Sequence, residues 1–143
     1  PDSLIAPASF ATLGFAIPAA VGALTARTER RVVALLGDGA LMFSVQELRT
    51  AADLELPLPV IVVDNGGYRE IAEEMDDAGI PRLSVDLPGP EYSSLATAMG
   101  CAYAEGATPE SLRLALTKAL ETPRPTLIRV PDRTAASAAE LRK

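Results

Sequence analysis

Two short polar segments are the places in this sequence where side chains could do chemistry. Gly37-Asp38-Gly39 follows the apolar run RVVALL, and Asp64-Asn65-Gly66-Gly67 follows the apolar run LPVIVV. Carboxylate and amide oxygens are hard donors of the kind that Mg²⁺ takes, together with phosphate oxygens and water. The neighbouring glycines leave backbone N–H groups and carbonyls open to a ligand. The two segments together predict one site, in which a divalent metal holds a diphosphate.

A strand–helix–strand unit would bring these two segments together. The apolar runs, at 31–36 and 58–63, are short and rich in β-branched residues, which favours parallel strands buried on both faces. Between them, Ser44 and Glu47 form the S-x-x-E pattern of a helix capping box. The helix that follows would bury one face, made of Val45, Leu48, Ala52 and Leu56. Ligands of open parallel sheets bind beyond the carboxyl ends of the strands, where both polar segments would then lie.

The rest of the chain continues the alternation of helices and strands. Patterning and end signals predict helices over 17–26, 68–77, 91–99 and 109–121, and strands over 101–104 and 126–130. Thr108 is the expected N-cap of the last helix, with a proline directly after it. The predicted fold class is α/β, doubly wound, with a mainly parallel sheet, helices on both faces and a flavodoxin-like arrangement. Residues 1–131 form the predicted domain, and 132–143 a polar tail.

Composition excludes several functional classes. The chain has 143 residues and a net charge of -6, without a lysine or arginine run, which argues against a nucleic-acid partner. No apolar segment is long enough to cross a membrane. A single cysteine, Cys101, excludes an internal disulfide, fits a reducing compartment and predicts a cytoplasmic location, with the thiol an inert packing group. With no histidine and no initiator methionine, the chain is expected to be part of a longer protein that supplies other groups.

Three segments in this order and spacing resemble the thiamine-diphosphate-dependent enzymes. The family signature is GDG followed, about 25 residues later, by NN, and Gly37-Asp38-Gly39 with Asp64-Asn65 is similar to it. The stretch ATLGFAIPAAVGA at 11–23 resembles a motif of acetolactate synthases and benzoylformate decarboxylases. The resemblance covers nearly the whole chain. It implies the carboxyl-terminal diphosphate-binding domain of that family, with thiamine diphosphate and Mg²⁺ as cofactors.

The resemblance also implies roles for single residues. Asp38, the side-chain oxygen of Asn65 and the main-chain carbonyl of Gly67 would coordinate Mg²⁺. The backbone N–H groups of Gly39 and Ala40 would donate to the diphosphate.

Further cofactor contacts are implied at the front motif and after the second strand. Leu13 matches the aliphatic residue that wedges between the two cofactor rings, and the carbonyl of Ala11 matches the acceptor of the aminopyrimidine amine. Tyr68 opens a helix beside the cofactor. Two departures stand out: Asp64 replaces a usual asparagine without a ligand role, and Ala11 replaces a frequent glycine, which is expected to cost little.

The implied activity is decarboxylation of a small 2-oxo acid, with ligation of the product as the open alternative. No catalytic residue is expected in this chain, because the activating glutamate of the family comes from a pyrimidine-binding domain of the same or a neighbouring subunit. The isolated fragment is therefore expected to be inactive, and the whole enzyme to be a homodimer or homotetramer.

Other interpretations remain open from the residues alone. Asp38 and Asn65 are common turn residues that can simply cap loops. A receiver-like or nucleotide-binding module would use Asp38 as phospho-acceptor or Mg²⁺ ligand, although the last strand, TLIRVPD, offers no lysine for a receiver. A domain that is catalytically silent and only oligomerises is a third alternative.

Overall fold

The chain folds into one parallel sheet with helices packed against it. The structure, a computed structural model, describes residues 4–7, 11–27 and 29–132. Its helices are α1 Ala16–Ala26, α2 Asp38–Leu41, α3 Glu47–Asp53, α4 Arg69–Asp77, α5 Tyr92–Ala98 and α6 Pro109–Ala119. Its strands are β1 Ala34–Gly37, β2 Pro59–Asp64, β3 Ala102–Glu105 and β4 Thr126–Pro131. The predicted polar tail, apart from Asp132, lies outside the described residues.

The sheet is parallel throughout and has the strand order β1-β2-β4-β3. Leu36 pairs with Val62 and Gly37 with Val63, so β1 and β2 end side by side. The predicted α/β class with a parallel, doubly wound sheet is confirmed. Since all carboxyl ends lie at one edge, the loops after β1, β2 and β4 are neighbours there.

Side chains of the strands alternate between two layers of helices. Val60, Val62 and Leu127 belong to a buried cluster with residues of α1, α3 and α5. Ile128, the next residue along β4, is fully buried outside that cluster, in the part of the sheet that α6 contacts. The expected helices on both faces are therefore present over β4.

The predicted capping box between Ser44 and Glu47 does not form, and this prediction is wrong. Helix α3 begins only at Glu47, because tight turns precede it: Glu47 N–H donates to the Ser44 carbonyl at 3.0 Å, and Leu48 N–H to the Val45 carbonyl at 3.1 Å. The Ser44 side chain is buried, and its hydroxyl has no hydrogen-bond partner among the described residues. Leu48 and Ala51, in place of the expected Ala52, form the fully buried positions of this helix.

Strand β1 differs from the expectation of a strand buried on both faces. It begins at Ala34 and lies at the edge of the sheet. Ala34 and Leu36 point into the core, whereas Leu35 is 65% exposed on the opposite face. An apolar run alone cannot distinguish a central strand from an edge strand, and among the described residues no helix covers Leu35.

Side chains cap two further helices, and the predicted N-cap of the last helix is confirmed. Thr108 Oγ1 accepts from the Ser111 N–H, and Ser111 in turn completes a capping box at the start of α6. Glu91 caps α5 by accepting from the N–H groups of Ser93 and Ser94. Hydrogen bonds from the side chain and the N–H of Ser94, together with those from Ser93, lower the pKa of Glu91 to about 2. Within the described residues, no helix has the length and apolar character that crossing a bilayer requires.

Candidate functional site

Asp38 lies at the point where β1 ends, and it binds the loop that follows β2. Its side chain is only 4% exposed. Oδ2 accepts hydrogen bonds from the backbone N–H groups of Gly66, at 3.0 Å, and Gly67, at 2.7 Å. Burial of a carboxylate is costly unless hydrogen bonds compensate it, and these two bonds provide that compensation. The structure thus brings together the two polar segments that were singled out in the sequence.

The other carboxylate oxygen of Asp38 faces Asn65. The carboxamide oxygen of Asn65 lies 3.0 Å from Asp38 Oδ1 and 3.2 Å from the carbonyl oxygen of Gly67. Without a cation, three oxygens in this arrangement repel one another, and turning the amide would let its nitrogen donate to both neighbours. In an octahedral Mg²⁺ site with bonds of 2.0–2.1 Å, adjacent ligand oxygens are about 2.9 Å apart. The donor set and its spacing therefore fit Mg²⁺.

Elsewhere in the described part of the chain, no group of three or more aspartates, glutamates or cysteines converges on a point. The oxygens of Asp38, Asn65 and Gly67 include one carboxylate only. Such a set leaves coordination positions for ligand oxygens and water, which is the usual situation of Mg²⁺ bound with phosphates.

Glycine is required at two places around these oxygens. Gly67 has φ +126°, and a Cβ there would collide with the carbonyl oxygen of Val85 and lie 2.7 Å from the N–H nitrogen of Leu87. A Cβ on Gly39 would lie 2.9 Å from the ring of Tyr68 and 3.3 Å from the Gly67 carbonyl oxygen. The backbone at Gly39 therefore approaches both Tyr68 and the donor oxygen of Gly67.

The helix after β1 offers N–H groups to this space. Gly39 and Ala40 lie in the first turn of α2, which starts at Asp38. Amides of a first helical turn have no intrahelical partner, so they are open to an external acceptor. This short helix was not predicted, because the four residues DGAL carry no periodic pattern.

The front motif reaches the site through aromatic contacts. A Cβ on Gly14, whose φ is +84°, would lie 3.0 Å from the Cβ of Phe43. The Phe43 ring meets the Tyr68 ring edge to face, with 6.3 Å between centroids. Leu13, next to Gly14, is 42% exposed. The structure thus places the front motif, the turn after α2 and the start of α4 beside one another.

Alanine at position 11, which was expected to cost little, has an unusual backbone conformation. Ala11 has φ +44°, in the left-handed region that residues with a Cβ avoid. Its N–H donates to the Pro7 carbonyl at 3.3 Å. The backbone conformation, and not only the carbonyl, is therefore what a glycine at this position would supply.

Ion pairs that the sequence analysis did not predict frame the loop after β2. Arg129 Nε donates to Asp64 Oδ2 at 2.7 Å, and Arg69 Nη1 donates to Asp132 Oδ2 at 2.8 Å. The hydrogen bond that Arg129 donates to Asp64 is the largest cause of the raised pKa of Arg129. An arginine inside the otherwise apolar run TLIRV was the available signal, because a charged residue in a sheet interior needs a partner.

Cys101 behaves as the inert residue that was predicted. The thiol is buried directly before β3 and is free. Burial raises its pKa to about 11, an effect that the positive charges of Arg124 and Arg49 oppose only in part. The reactive thiolate is therefore scarce near neutral pH.

A parallel sheet with a polar site beyond the carboxyl ends of adjacent strands defines an α/β ligand-binding domain. Within that class, the chain belongs to the thiamine pyrophosphate enzymes, as the C-terminal TPP binding domain: the sequence model of that family matches residues 1–130. The family resemblance drawn from the three motifs is confirmed. These matches do not favour the receiver-like alternative.

Individual proteins similar to this chain agree with that family. A benzoylformate decarboxylase of Pseudomonas aeruginosa is 37% identical over 137 residues, which are 94% of this chain and 25% of that protein. An acetolactate synthase large subunit of Parasynechococcus marenigrum is 34% identical over 133 residues, 91% of this chain and 22% of that protein. A thiamine diphosphate-dependent 4-hydroxybenzoylformate decarboxylase structure from Rhodococcus jostii RHA1 matches with a TM-score of 0.77 and 34% identity, covering 83% of this chain and 23% of that one. The chain thus spans about a quarter of the length of the curated relatives it matches.

Proposed function

We propose that this chain holds the diphosphate of thiamine diphosphate, through Mg²⁺, for a longer enzyme that decarboxylates a 2-oxo acid. The observation that carries the proposal is the convergence of the Asp38, Asn65 and Gly67 oxygens at the ends of β1 and β2. The family match supplies the cofactor, and the printed names of the relatives support the substrate class, since benzoylformate is a 2-oxo acid.

The proposed metal ligands are Asp38 Oδ1, Asn65 Oδ1 and the Gly67 carbonyl oxygen. Asp38 has a second task, because its Oδ2 holds the Gly66 and Gly67 N–H groups and thereby directs the Gly67 carbonyl. One negative charge on the protein offsets part of the metal charge, and the diphosphate oxygens offset the rest. The N–H groups of Gly39 and Ala40 at the start of α2 are the proposed donors to the diphosphate.

The front motif and Tyr68 are proposed to hold the organic part of the cofactor. Leu13 is the proposed wedge between its two rings, and the Ala11 carbonyl the proposed acceptor for its amine. Tyr68 packs on Gly39 and would border the same space. When bound, thiamine diphosphate supplies the electron sink for loss of CO₂. The residues of this chain would bind and orient it and shield it from water.

The group that transfers a proton to the cofactor is proposed to lie outside this chain. The proposed source is a glutamate of a pyrimidine-binding domain in the same or a neighbouring subunit of a homodimer or homotetramer. The exposed apolar residues at the site edge, Met42 and Phe43, are compatible with a covering partner or substrate.

Ligation of the decarboxylated product is the second candidate function, because one of the relatives is an acetolactate synthase. A cytoplasmic location remains a prediction from the single cysteine.

Calorimetric titration of thiamine diphosphate into the full-length protein, with Mg²⁺ and with a chelator, tests the proposal. Binding is expected only with the metal present, together with loss of CO₂ from a 2-oxo acid such as benzoylformate. Binding of equal strength without any divalent cation would contradict the metal assignment. The 143-residue chain alone is expected to release no CO₂, and measurable turnover by it would contradict the assignment of the glutamate to another domain.

A further inference from the structure

The loop at residues 65–68, between β2 and α4, carries two of the three proposed metal donors. It contains two consecutive glycines with positive φ, Gly66 at +90° and Gly67 at +126°. Paired glycines give a chain more conformational freedom than any other pair of residues. Backbone hydrogen bonds hold part of this loop, because Leu87 N–H donates to the Gly66 carbonyl and Tyr68 N–H to the Val85 carbonyl, both at 2.9 Å. The positions of the Asn65 and Gly67 oxygens depend in addition on how the two ends of the loop are held. The residues directly before and after it are therefore of interest.

The residue before the loop is fixed to β4 by an ion pair. Asp64 receives the hydrogen bond from Arg129 Nε, and the two side chains are 12% and 33% exposed. Arg129 Nη1 also donates to Glu105 Oε1 at 3.2 Å, and its guanidinium lies 5.4 Å from the ring centroid of Tyr92. Carboxylates on two sides and an aromatic ring thus restrict the arginine to one orientation, in which its Nε faces Asp64.

The residue after the loop is fixed to the same strand end. Arg69 Nη1 donates to Asp132 Oδ2, directly after β4. The backbone N–H of Asp132 donates to the carbonyl of Asp64 at 2.8 Å, which extends the parallel pairing of β2 and β4 by one bond. Both ends of loop 65–68 are therefore bound to residues at the carboxyl end of β4.

We propose that Arg129 and Asp132, called the β4 clamp below, are positioning residues that hold loop 65–68 in the geometry required for the Asn65 and Gly67 oxygens to meet Asp38. The β4 clamp contains none of the proposed metal or cofactor ligands, and it acts through Asp64 and Arg69. The effect of the β4 clamp on metal binding rests on the proposed function, whereas its effect on the order of loop 65–68 does not.

The solvent exposure of the two ion pairs determines how strongly loss of the β4 clamp should affect stability and loop order. Both ion pairs are partly open to solvent, so each contributes modestly to global stability. A loop of four residues opens locally without unfolding the sheet, so a modest interaction decides its order. Loss of the β4 clamp is therefore expected to change the loop far more than the melting temperature.

Hydrogen exchange of the Gly66 and Gly67 amides, measured without ligand, tests the β4 clamp directly. Both amides donate to Asp38, and their protection reports the closed loop. Arg129→Gln is expected to speed their exchange about fivefold or more, the scale of coupling between residues in one network. Amides in the core of β2 should keep their protection. Arg129→Lys retains the charge, so its Gly66 and Gly67 amides should be better protected than those of Arg129→Gln. The lysine variant replaces the glutamine variant in this experiment if the latter folds poorly.

The matched control is Arg49→Gln. Arg49 forms an exposed pair with Asp53 on α3, away from the loop, and its loss should leave the two amides unchanged. Asp64→Asn combined with Arg129→Gln leaves a neutral pair that can still hydrogen-bond, and should exchange more slowly than Arg129→Gln alone. Equal exchange at Gly66 and Gly67 in wild type and Arg129→Gln, or faster exchange across the whole sheet, would overturn the proposal.

A second measurement connects the β4 clamp with the metal. In the full-length protein with thiamine diphosphate, the Mg²⁺ concentration for half-saturation is expected to rise about fivefold in Arg129→Gln and to stay unchanged in Arg49→Gln. If wild type binds no Mg²⁺ with the cofactor, the proposed function fails while the exchange experiment still decides the role of the β4 clamp. Faster exchange with an unchanged Mg²⁺ requirement would overturn the positioning role.

Discussion

Asp38 joins the ends of two strands: its Oδ2 atom, directly after β1, accepts a hydrogen bond at 2.7 Å from the N–H of Gly67, in the loop after β2. Its second oxygen faces Asn65. One buried carboxylate therefore orders the loop and is also the proposed metal donor. A substitution at this position should affect both properties, and the two can be measured apart.

Asp38→Asn is expected to weaken Mg²⁺-dependent binding of thiamine diphosphate by about tenfold or more, with excess Mg²⁺ restoring only part of it. The amide keeps the shape but removes the only carboxylate charge among the proposed donors. Titration of the cofactor at several Mg²⁺ concentrations measures the effect.

Two controls accompany that titration. Asp53→Asn, on the exposed face of α3, should have no effect. Asp64→Asn restores the residue usual in the family and was expected from the sequence to be silent. Because Asp64 pairs with Arg129, a small loss is expected instead. A larger loss for Asp64→Asn than for Asp38→Asn would show that the ligand assignment is wrong.

Gly67→Ala is expected to lower the free energy of unfolding by about 2 kcal/mol or more, because strain at φ +126° adds to the collision with Val85. Gly66→Ala is the matched comparison: its φ is +90°, but the space around its Cβ is empty. Strain alone predicts a loss of about 1 kcal/mol there. Chemical denaturation of both variants gives the difference, and equal losses would mean that the contact with Val85 has no effect.

Ala11→Gly is expected to leave stability unchanged or raise it by up to about 1 kcal/mol, since relief of strain at φ +44° competes with the added freedom of the unfolded chain. The same exchange inside α1, Ala19→Gly, should cost about 1 kcal/mol. Thermal denaturation of the two variants compares them. A loss of stability in Ala11→Gly as large as that in Ala19→Gly would show that the backbone at position 11 is not strained.

Stability should decline in mild alkali because of Cys101. Folding raises the pKa of this thiol from 9.0 to about 11, so the folded state holds the proton more tightly. Its contribution is complete below pH 9.0 and is lost as the pH rises toward about 11. Between about pH 8 and 10, wild type should lose about 1 kcal/mol more than Cys101→Ala. Parallel pH profiles of the two proteins would contradict the role of the thiol.

The sequence was sufficient to predict most of the fold, and to place the two polar segments at adjacent strand ends, for identifiable reasons. Apolar runs without alternation, a capping threonine at position 108 and glycines after strands are local signals, and the local structure follows them. The Ser44 capping box failed because burial competed with the local signal. The pairing of Arg129 with Asp64 joins residues 65 positions apart, and no local pattern encodes such a contact.

The exposed side of β1 has a consequence for handling the isolated chain. Leu35 and Val33 are 65% and 42% exposed, and the free edge of this strand has no paired neighbour among the described residues. An unpaired, apolar strand edge is a template for the strand of another molecule. Copies of this chain should therefore associate along β1 at high protein concentration, especially where salt screens the net charge of -6. The substitution Leu35→Lys should reduce this association.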